Sequence, residues 1–389
     1  MITITPAAPM PPQTRIRRAF GLCVSKTRSN IQALADQPTT MAFAVDGRYS
    51  GWNEGFFEIG NWTTSFFTGM ALLAWRETGD NHFIQQVRRL DPLYQEKVGG
   101  RAADTMHDLG FLYSLYAVAL HKLTGECRHG ELALQAARVL AGRFVPRGGY
   151  IRAWGRMDEP DSDYAGLAII DCLMNLPLLY WASETFSDPH FRNIATRHAD
   201  TTLAHFIRED GSVYHSFRFN IDGSPAGGDN YCGRGVESQW ARGTTWAIYG
   251  FAMAYRYTDD PRYLDASLRI AHRFISLLDG EIVPVWDFCL DADAPRLRDS
   301  SAAAVAVCAF QELDALGAAD PAITSARIAL LDKLCSDTYL DFDPAVQGVL
   351  RFGQVGDGVG RAKSAYTSWG DYHLMEALSR EMGMKATWW

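Results

Sequence analysis

Two aspartates stand where a carboxylate is costly. Asp171 lies within AGLAIIDCLMNLPLLYW and Asp108 within DTMHDLGFLYSLYAV. A carboxylate among apolar residues loses several kcal/mol unless it is paired or its pKa rises. A raised pKa is what a general acid near neutral pH requires. Asp171 therefore reads as a proton donor, or as a structural Asp held by an Arg or by a helix cap. Asp108 precedes an apolar helix and equally fits an N-cap; His107 beside it is placed to face a substrate or to be a satisfied polar residue. Asp299 in RDSSAAA and Asp371 in WGDYHL read as caps. His215, in VYHSF, follows a turn and leads into a Gly-rich loop. Arg242, in SQWARGTTW, is flanked by Trp240 and Trp246. A guanidinium between two indoles can pair with a sugar carboxylate while the rings stack on sugar faces, or it can bridge helix ends.

Other chemistries leave weaker traces. There is no GxSxG elbow, no HExxH and no Walker loop. The run DGVGRAK does not follow a strand, and metal-ligand spacing is absent, so neither a metal nor a cofactor is expected. The net charge of −8 argues against a nucleic-acid partner. An anionic substrate would have to be held locally. Arg361 and Lys363, in GVGRAKSAYTSWG, are candidates for the anion of a second sugar, or belong to a solvated loop.

The elements that must position these residues recur along the chain. A mark built on Asp or Glu appears as ETGDNHF, LTGECRH, TFSDPHF, YTDDPRY and GAADPAI. Asp followed by Pro or a polar residue suits a cap and a first helical turn. Segments before the marks, such as MHDLGFLYSLYAVALHKL and SSAAAVAVCAFQELDAL, are apolar all round and read as buried helices. Segments after them, such as FRNIATRHADTTLAHFI, are amphipathic and read as outer helices. With RIRRAFGLCVSKTRSNIQALAD as one further outer helix and YTSWGDYHLMEALSREMG as one further inner helix, the pattern predicts an all-α (α/α)6 barrel. An open α-solenoid would repeat more uniformly. All six inner helices should run parallel, with Trp62, His107, Asp108, Asp171, Trp240, Arg242, Asp299, Trp369 and Asp371 at one mouth. The loops RGGYIRAWGRMDEPDSD and HSFRFNIDGSPAGGDNYCGRGVESQ have room for short hairpins.

Residues 1–15 read as a disordered arm without signal-peptide features, and 16–389 as a single catalytic domain. No stretch has the length of a membrane span. The seven cysteines are odd in number and form no CxxC pair, which fits a reducing, cytoplasmic compartment. A monomer or homodimer is expected.

The blocks HDLGFLYS (107–114), IIDCLMNLPLLYWAS (169–183), SQWARGTTWAIYG (238–250), VPVWDF (283–288), RDSSAAA (298–304) and SWGDYHLMEAL (368–378) resemble, in order, those of the unsaturated glucuronyl hydrolases, glycoside hydrolase family 88. The resemblance implies an (α/α)6 barrel without metal or cofactor. It implies action on an oligosaccharide whose non-reducing end is a 4,5-unsaturated uronic acid, by hydration of the vinyl ether. It makes Asp171 the general acid/base and Asp108 the second essential aspartate. Trp62 and Trp246 become stacking residues; His107, Trp154, His215, Arg242 and Tyr366 become pocket residues, with Arg242 facing the uronate. Two departures stand out. Cys232 and Gly233 lie near where the family often carries Gln, and RGTTW replaces RGQAW. Alternatives are an unsaturated rhamnogalacturonyl hydrolase, a sugar isomerase on the same barrel, which would typically use paired histidines on inner helices, and a non-catalytic sugar-binding barrel.

Overall fold

The computed structural model describes residues 10–33, 43–44, 46–49, 55–356, 364–384 and 387–389. Arg361 and Lys363, and most of the expected N-terminal arm, lie outside the described residues.

Outer helix α1 (Pro12–Ala33) begins inside that expected arm, because Pro12 has the fixed φ that a first helical turn accepts. The chain then alternates. Inner α2 (Thr64–Thr78) is followed by outer α3 (Asn81–Arg88) and α4 (Asp91–Val98). The second inner position combines α5 (Leu109–Tyr113), a π-helical turn (Ser114–Val118) and α6 (Ala119–Thr124). Outer α7 (Cys127–Ala141), inner α8 (Leu176–Phe186) and outer α9 (Pro189–His205) come next. Inner α10 (Ala241–Thr258), outer α11 (Pro261–Ser276), inner α12 (Ser300–Ala315), outer α13 (Pro321–Leu334) and inner α14 (Ser368–Glu381) complete the series. Each inner helix packs on the next, and α14 packs back on α2 with α1 against both. The ring is closed, which an open solenoid is not.

The recurring marks resolve into one kind of joint. A residue in the left-handed region ends the inner helix, and a nearby Asp caps the outer one. Gly79 (φ 70°) precedes Asp80, which accepts from His82 N–H; Ser187 (φ 55°) and Asp188, and Asp259 (φ 57°) and Asp260, repeat the arrangement. Asp320 caps α13 through the N–H groups of Ala322 and Ile323. Such a cap contributes about 1 kcal/mol. Glu126 holds the equivalent place before α7 but makes no cap bond.

The long connections all lie at the other end of the barrel. They hold the hairpin β2 (Phe144–Val145) and β3 (Tyr150–Ile151), and an antiparallel sheet of β4 (Leu167–Ile169), β5 (Ser216–Phe219) and β6 (Pro225–Asp229). The third inner segment therefore differs from its expectation as a continuous helix. It runs as β4, a single 3₁₀ turn (Ile170–Met174) and only then α8, which starts beside Pro177. Gly166 (φ 76°) allows the entry turn, and Pro177 fits only the first turn of a helix.

Candidate active site

Strand register brings the first pair of polar groups together. Ile169 lies opposite Ser216, and Ile170 N–H donates to His215 C=O at 2.9 Å. The residues just beyond, Asp171 and His215, then face each other with His215 Nε2 3.9 Å from Asp171 Oδ2. Asp171 is thus on a 3₁₀ turn at the mouth rather than inside a helix. His215 Nδ1 accepts two main-chain N–H groups, from Tyr231 at 3.0 Å and Cys232 at 3.1 Å. A ring nitrogen that accepts carries no proton, so Nε2 holds the hydrogen and presents it to Asp171. Burial holds His215 down to about 3, so the ring stays neutral.

Asp108 joins them through a close helix contact. It occupies the N-cap position of α5 but makes no side-chain cap bond. Its carboxylate contacts His107 Nε2 at 3.4 Å instead. Gly110, two residues on, lies so near Asn175 that an added Cβ would stand 2.2 Å from the Asn175 Cα. Asn175 Oδ1 accepts Phe111 N–H at 2.7 Å, which ties α5 to the segment carrying Asp171.

The two aspartates line one cavity of about 510 Å³ with Trp62, His107, Trp154, Tyr164, His215, Tyr231, Cys232, Trp240, Arg242 and Val355 among its walls. Burial pushes Asp171 up to about 7, opposed by the Arg242 charge. Burial, and then the Asp171 charge, push Asp108 up to about 8, opposed by Arg143 and Lys97. Two buried carboxyls in one cavity titrate as a pair, and the pair holds a proton at neutral pH. Asp171 Oδ2 is buried and has no hydrogen-bond partner among the described residues.

Arg242 is bracketed by Trp240 (4.5 Å) and Trp369 (5.0 Å), not by Trp246. Its Nη1 donates to Asp299 Oδ2 at 3.0 Å, to Ser301 Oγ and to Gln354 C=O; its Nη2 donates to Val355 C=O at 2.8 Å. Its buried Nε has no partner among the described residues. Asp299 is at once the cap of α12 and the Arg242 counter-ion. Asp371 is structural, though not as a cap: it accepts from Tyr49 O–H and from the N–H groups of Val349 and Leu350. Trp62 stacks on Trp369 at 4.8 Å, and Trp154 meets Tyr164 and Tyr231 edge-on.

Two expected pocket residues do not reach the cavity. Trp246 is fully buried against Phe111 and His373. It is four residues after Arg242, on the same helix face but one turn deeper, below the floor. Tyr366 sits on β7 (Tyr366–Thr367), paired with β1 (Phe43–Ala44), and its hydroxyl donates to Asp341 at 2.5 Å. Lys363 lies outside the described residues. The sequence reading missed the rim tyrosines Tyr164 and Tyr231 and the contact of Gly110 with Asn175. The glycine after HDL was the available signal for the last.

Comparison with known proteins agrees with this geometry. The pattern of Glycosyl Hydrolase Family 88 matches residues 39–280. An unsaturated glucuronyl hydrolase of Bacillus sp. (strain GL1) is 35% identical over 337 residues, 85% of this chain and 88% of that protein. An unsaturated chondroitin disaccharide hydrolase of Streptococcus pyogenes serotype M1 is 33% identical over 95% of this chain and 91% of its own length. The crystal structure of the unsaturated glucuronyl hydrolase from Bacillus sp. GL1, described as responsible for the degradation of glycosaminoglycan, superposes with a TM-score of 0.88 at 32% identity, covering 96% of this chain and 99% of that one. A closed (α/α)6 barrel, a mouth built around two aspartates, and similarity of this extent make the chain a glycoside hydrolase, and it belongs to glycosyl hydrolase family 88.

Proposed function

We propose that the chain removes a 4,5-unsaturated uronic acid from the non-reducing end of lyase-generated oligosaccharides by hydrating its vinyl ether. The observation that carries this reading is the pair of buried aspartates, both poised near neutrality, lining one aromatic cavity. Protonated Asp171 gives its proton to C4. Water adds at C5, and its released proton returns to the Asp171 carboxylate. The C5 hemiketal opens to a ketone, leaving a hemiacetal at C1 that expels the second sugar as an alcohol. One water is consumed and one glycosidic bond broken. Asp108 holds the sugar and tunes the shared proton, the His215 Nε2–H orients Asp171 or the attacking water, and Trp62, His107 and Trp154 enclose the ring.

Arg242 has the vacant Nε–H to meet the uronate carboxylate, and Arg361 and Lys363 are candidates for an anion on the next sugar. The relatives are named for glucuronyl and chondroitin substrates, which favours this reading over a rhamnogalacturonyl or non-catalytic one. A cytoplasmic, reducing compartment fits the seven free cysteines, and the chain is taken to act as a monomer or homodimer; among the described residues no helix is long and apolar enough to cross a membrane.

The test follows loss of the unsaturated-uronate absorbance with a panel of unsaturated disaccharides, for the wild type and for Asp171→Asn. The wild type should consume at least one of them. The variant should lose roughly 10²–10⁴-fold in kcat with KM little changed. An Asp171→Asn enzyme keeping most of the wild-type kcat would sink the assignment.

A further inference from the structure

Two buried cations that do not line the cavity, Arg143 and Lys97, act on Asp108 and have no part in the proposed reaction. Arg143 follows closely on α7 and is 2% exposed. Its guanidinium makes four hydrogen bonds, all to main-chain carbonyls: Thr105 (2.6 Å), Arg152 (2.9 Å), Ala153 (3.2 Å) and Gly155 (2.9 Å). Thr105 belongs to the segment that ends in His107 and Asp108, and residues 152–155 carry Trp154. His107 N–H donates to the same Ala153 carbonyl at 3.0 Å, which locks the two segments together. Lys97, at the end of α4 and 1% exposed, donates to Phe56 C=O at 2.6 Å, in the loop leading to Trp62.

Neither cation has a carboxylate within ion-pair reach among the described residues. Asp104 is engaged by Arg156, and the contact of Asp108 is with His107. Carbonyl dipoles solvate a buried charge but do not cancel it, so its field persists to the nearest anion in a medium of low dielectric. For Arg143 that anion is Asp108; Lys97 acts on Asp108 together with Asp104 and Glu58.

We infer that Arg143 is a positioning residue for the proton chemistry: it fixes the two segments that carry Asp108 and Trp154, and its charge, which no carboxylate pairs, favours with Lys97 the ionised form of the Asp108–Asp171 pair. The inference rests on the proposed role of the two aspartates. The groups facing Asp108 are few. Asp171 and the Cys172 thiol come from the 3₁₀ turn, and His107 is its neighbour in the chain. Lys97 comes from outer helix α4 and Arg143 from just past α7, and the Arg152 charge, just after β3, opposes that of Arg143. His107, His198 and the cavity residue His215 are all kept neutral by burial. Only the two cations favour the ionised carboxylate among these groups. From the cavity side Arg242, itself paired with Asp299, favours ionisation of Asp171.

The experiment compares pH profiles of kcat/KM for the wild type, Arg143→Lys, Arg143→Gln and Lys97→Met on an unsaturated disaccharide that the wild type consumes. Loss of a cation raises the pKa values of a nearby carboxyl pair, so both limbs of the bell should move to higher pH by roughly one unit in Arg143→Gln and Lys97→Met. Arg143→Lys keeps the charge and loses the fork; it should lower kcat while leaving the limbs in place. Limbs unmoved in the two charge-removing variants, with only rate or melting temperature reduced, would show a mere anchor and overturn the inference. If Arg143→Gln does not fold, Lys97→Met decides alone: a shift supports the inference and no shift overturns it. A fully active Asp171→Asn enzyme would instead refute the underlying reading, whatever the limbs do.

Discussion

Replacing Gly110 by Ala tests whether the contact between α5 and Asn175 sets the aspartate geometry. The new Cβ would lie 2.2 Å from Asn175 Cα and 2.5 Å from Asn175 O, both main-chain atoms that cannot swing aside. Carbon atoms rest at roughly 3.5 Å, so the two segments must part by roughly 1.3 Å. Gly110 is two residues from Asp108 and Asn175 four from Asp171, so the separation falls directly between the carboxyls. A misplacement near 1 Å costs on the order of 10²-fold in rate, or about 2.7 kcal/mol in the barrier. Overpacking should also lower stability by about 1–3 kcal/mol, against the roughly 1 kcal/mol that Ala gains over Gly in a helix. The assay is decay of the unsaturated-uronate absorbance, with a thermal melt in parallel. A Gly110→Ala enzyme with wild-type kcat/KM and a higher Tm would refute the argument, because helix propensity alone would then have acted.

Asp108→Asn should stabilise the fold while it slows turnover. Burial raises the Asp108 carboxyl to about 8, so between the ordinary carboxylate range and that value the folded state keeps a proton the unfolded state has lost, and stability falls as pH rises. The Asn variant escapes that loss, so its Tm advantage over the wild type should widen from about pH 5 to about pH 8 in calorimetry; an equal offset at both pH values would contradict this. Arg242→Lys should lose both affinity and stability, since one ammonium cannot serve Asp299, Gln354 and Val355 while offering a vacant donor to the uronate. Breaking such a buried pair costs roughly 3–5 kcal/mol; a variant with unchanged KM and Tm would show that the guanidinium does neither task.

Much of this was legible because helices announce themselves locally. The Asp marks and the apolar segments before them gave the alternation, and the structure supplies the reason in left-handed residues such as Gly79 and Ser187 beside capping aspartates. The site was legible as far as residue type goes: a carboxylate amid IIDCLM has few innocent explanations. What escaped was geometry that depends on partners distant in sequence. Asp171 sits on a 3₁₀ turn because β4 pairs with β5, about 50 residues further along the chain, in a register (Ala168 opposite Phe217) that no local pattern encodes. Trp246 was misplaced because a helix position fixes a direction but not a depth. The work of Arg143 is done wholly on carbonyls, which leave no trace in side-chain types.

The seam where the ring closes has a consequence for how the chain reaches its native state. Lys26 in α1 donates to the carbonyl of Asp343, 317 residues away, and Asn30 to that of Gln347. By loop-closure entropy, joining ends so far apart costs roughly 2–3 kcal/mol more than folding back a single helical hairpin. Each inner–outer pair is built from near neighbours in the chain, whereas the docking of α1 between α2 and α14 needs every element from α1 through α14. During synthesis α1 is made long before α14, so the part of its apolar face that meets α14 has no partner until that helix has formed. The barrel thus closes like a clasp rather than growing like a stack.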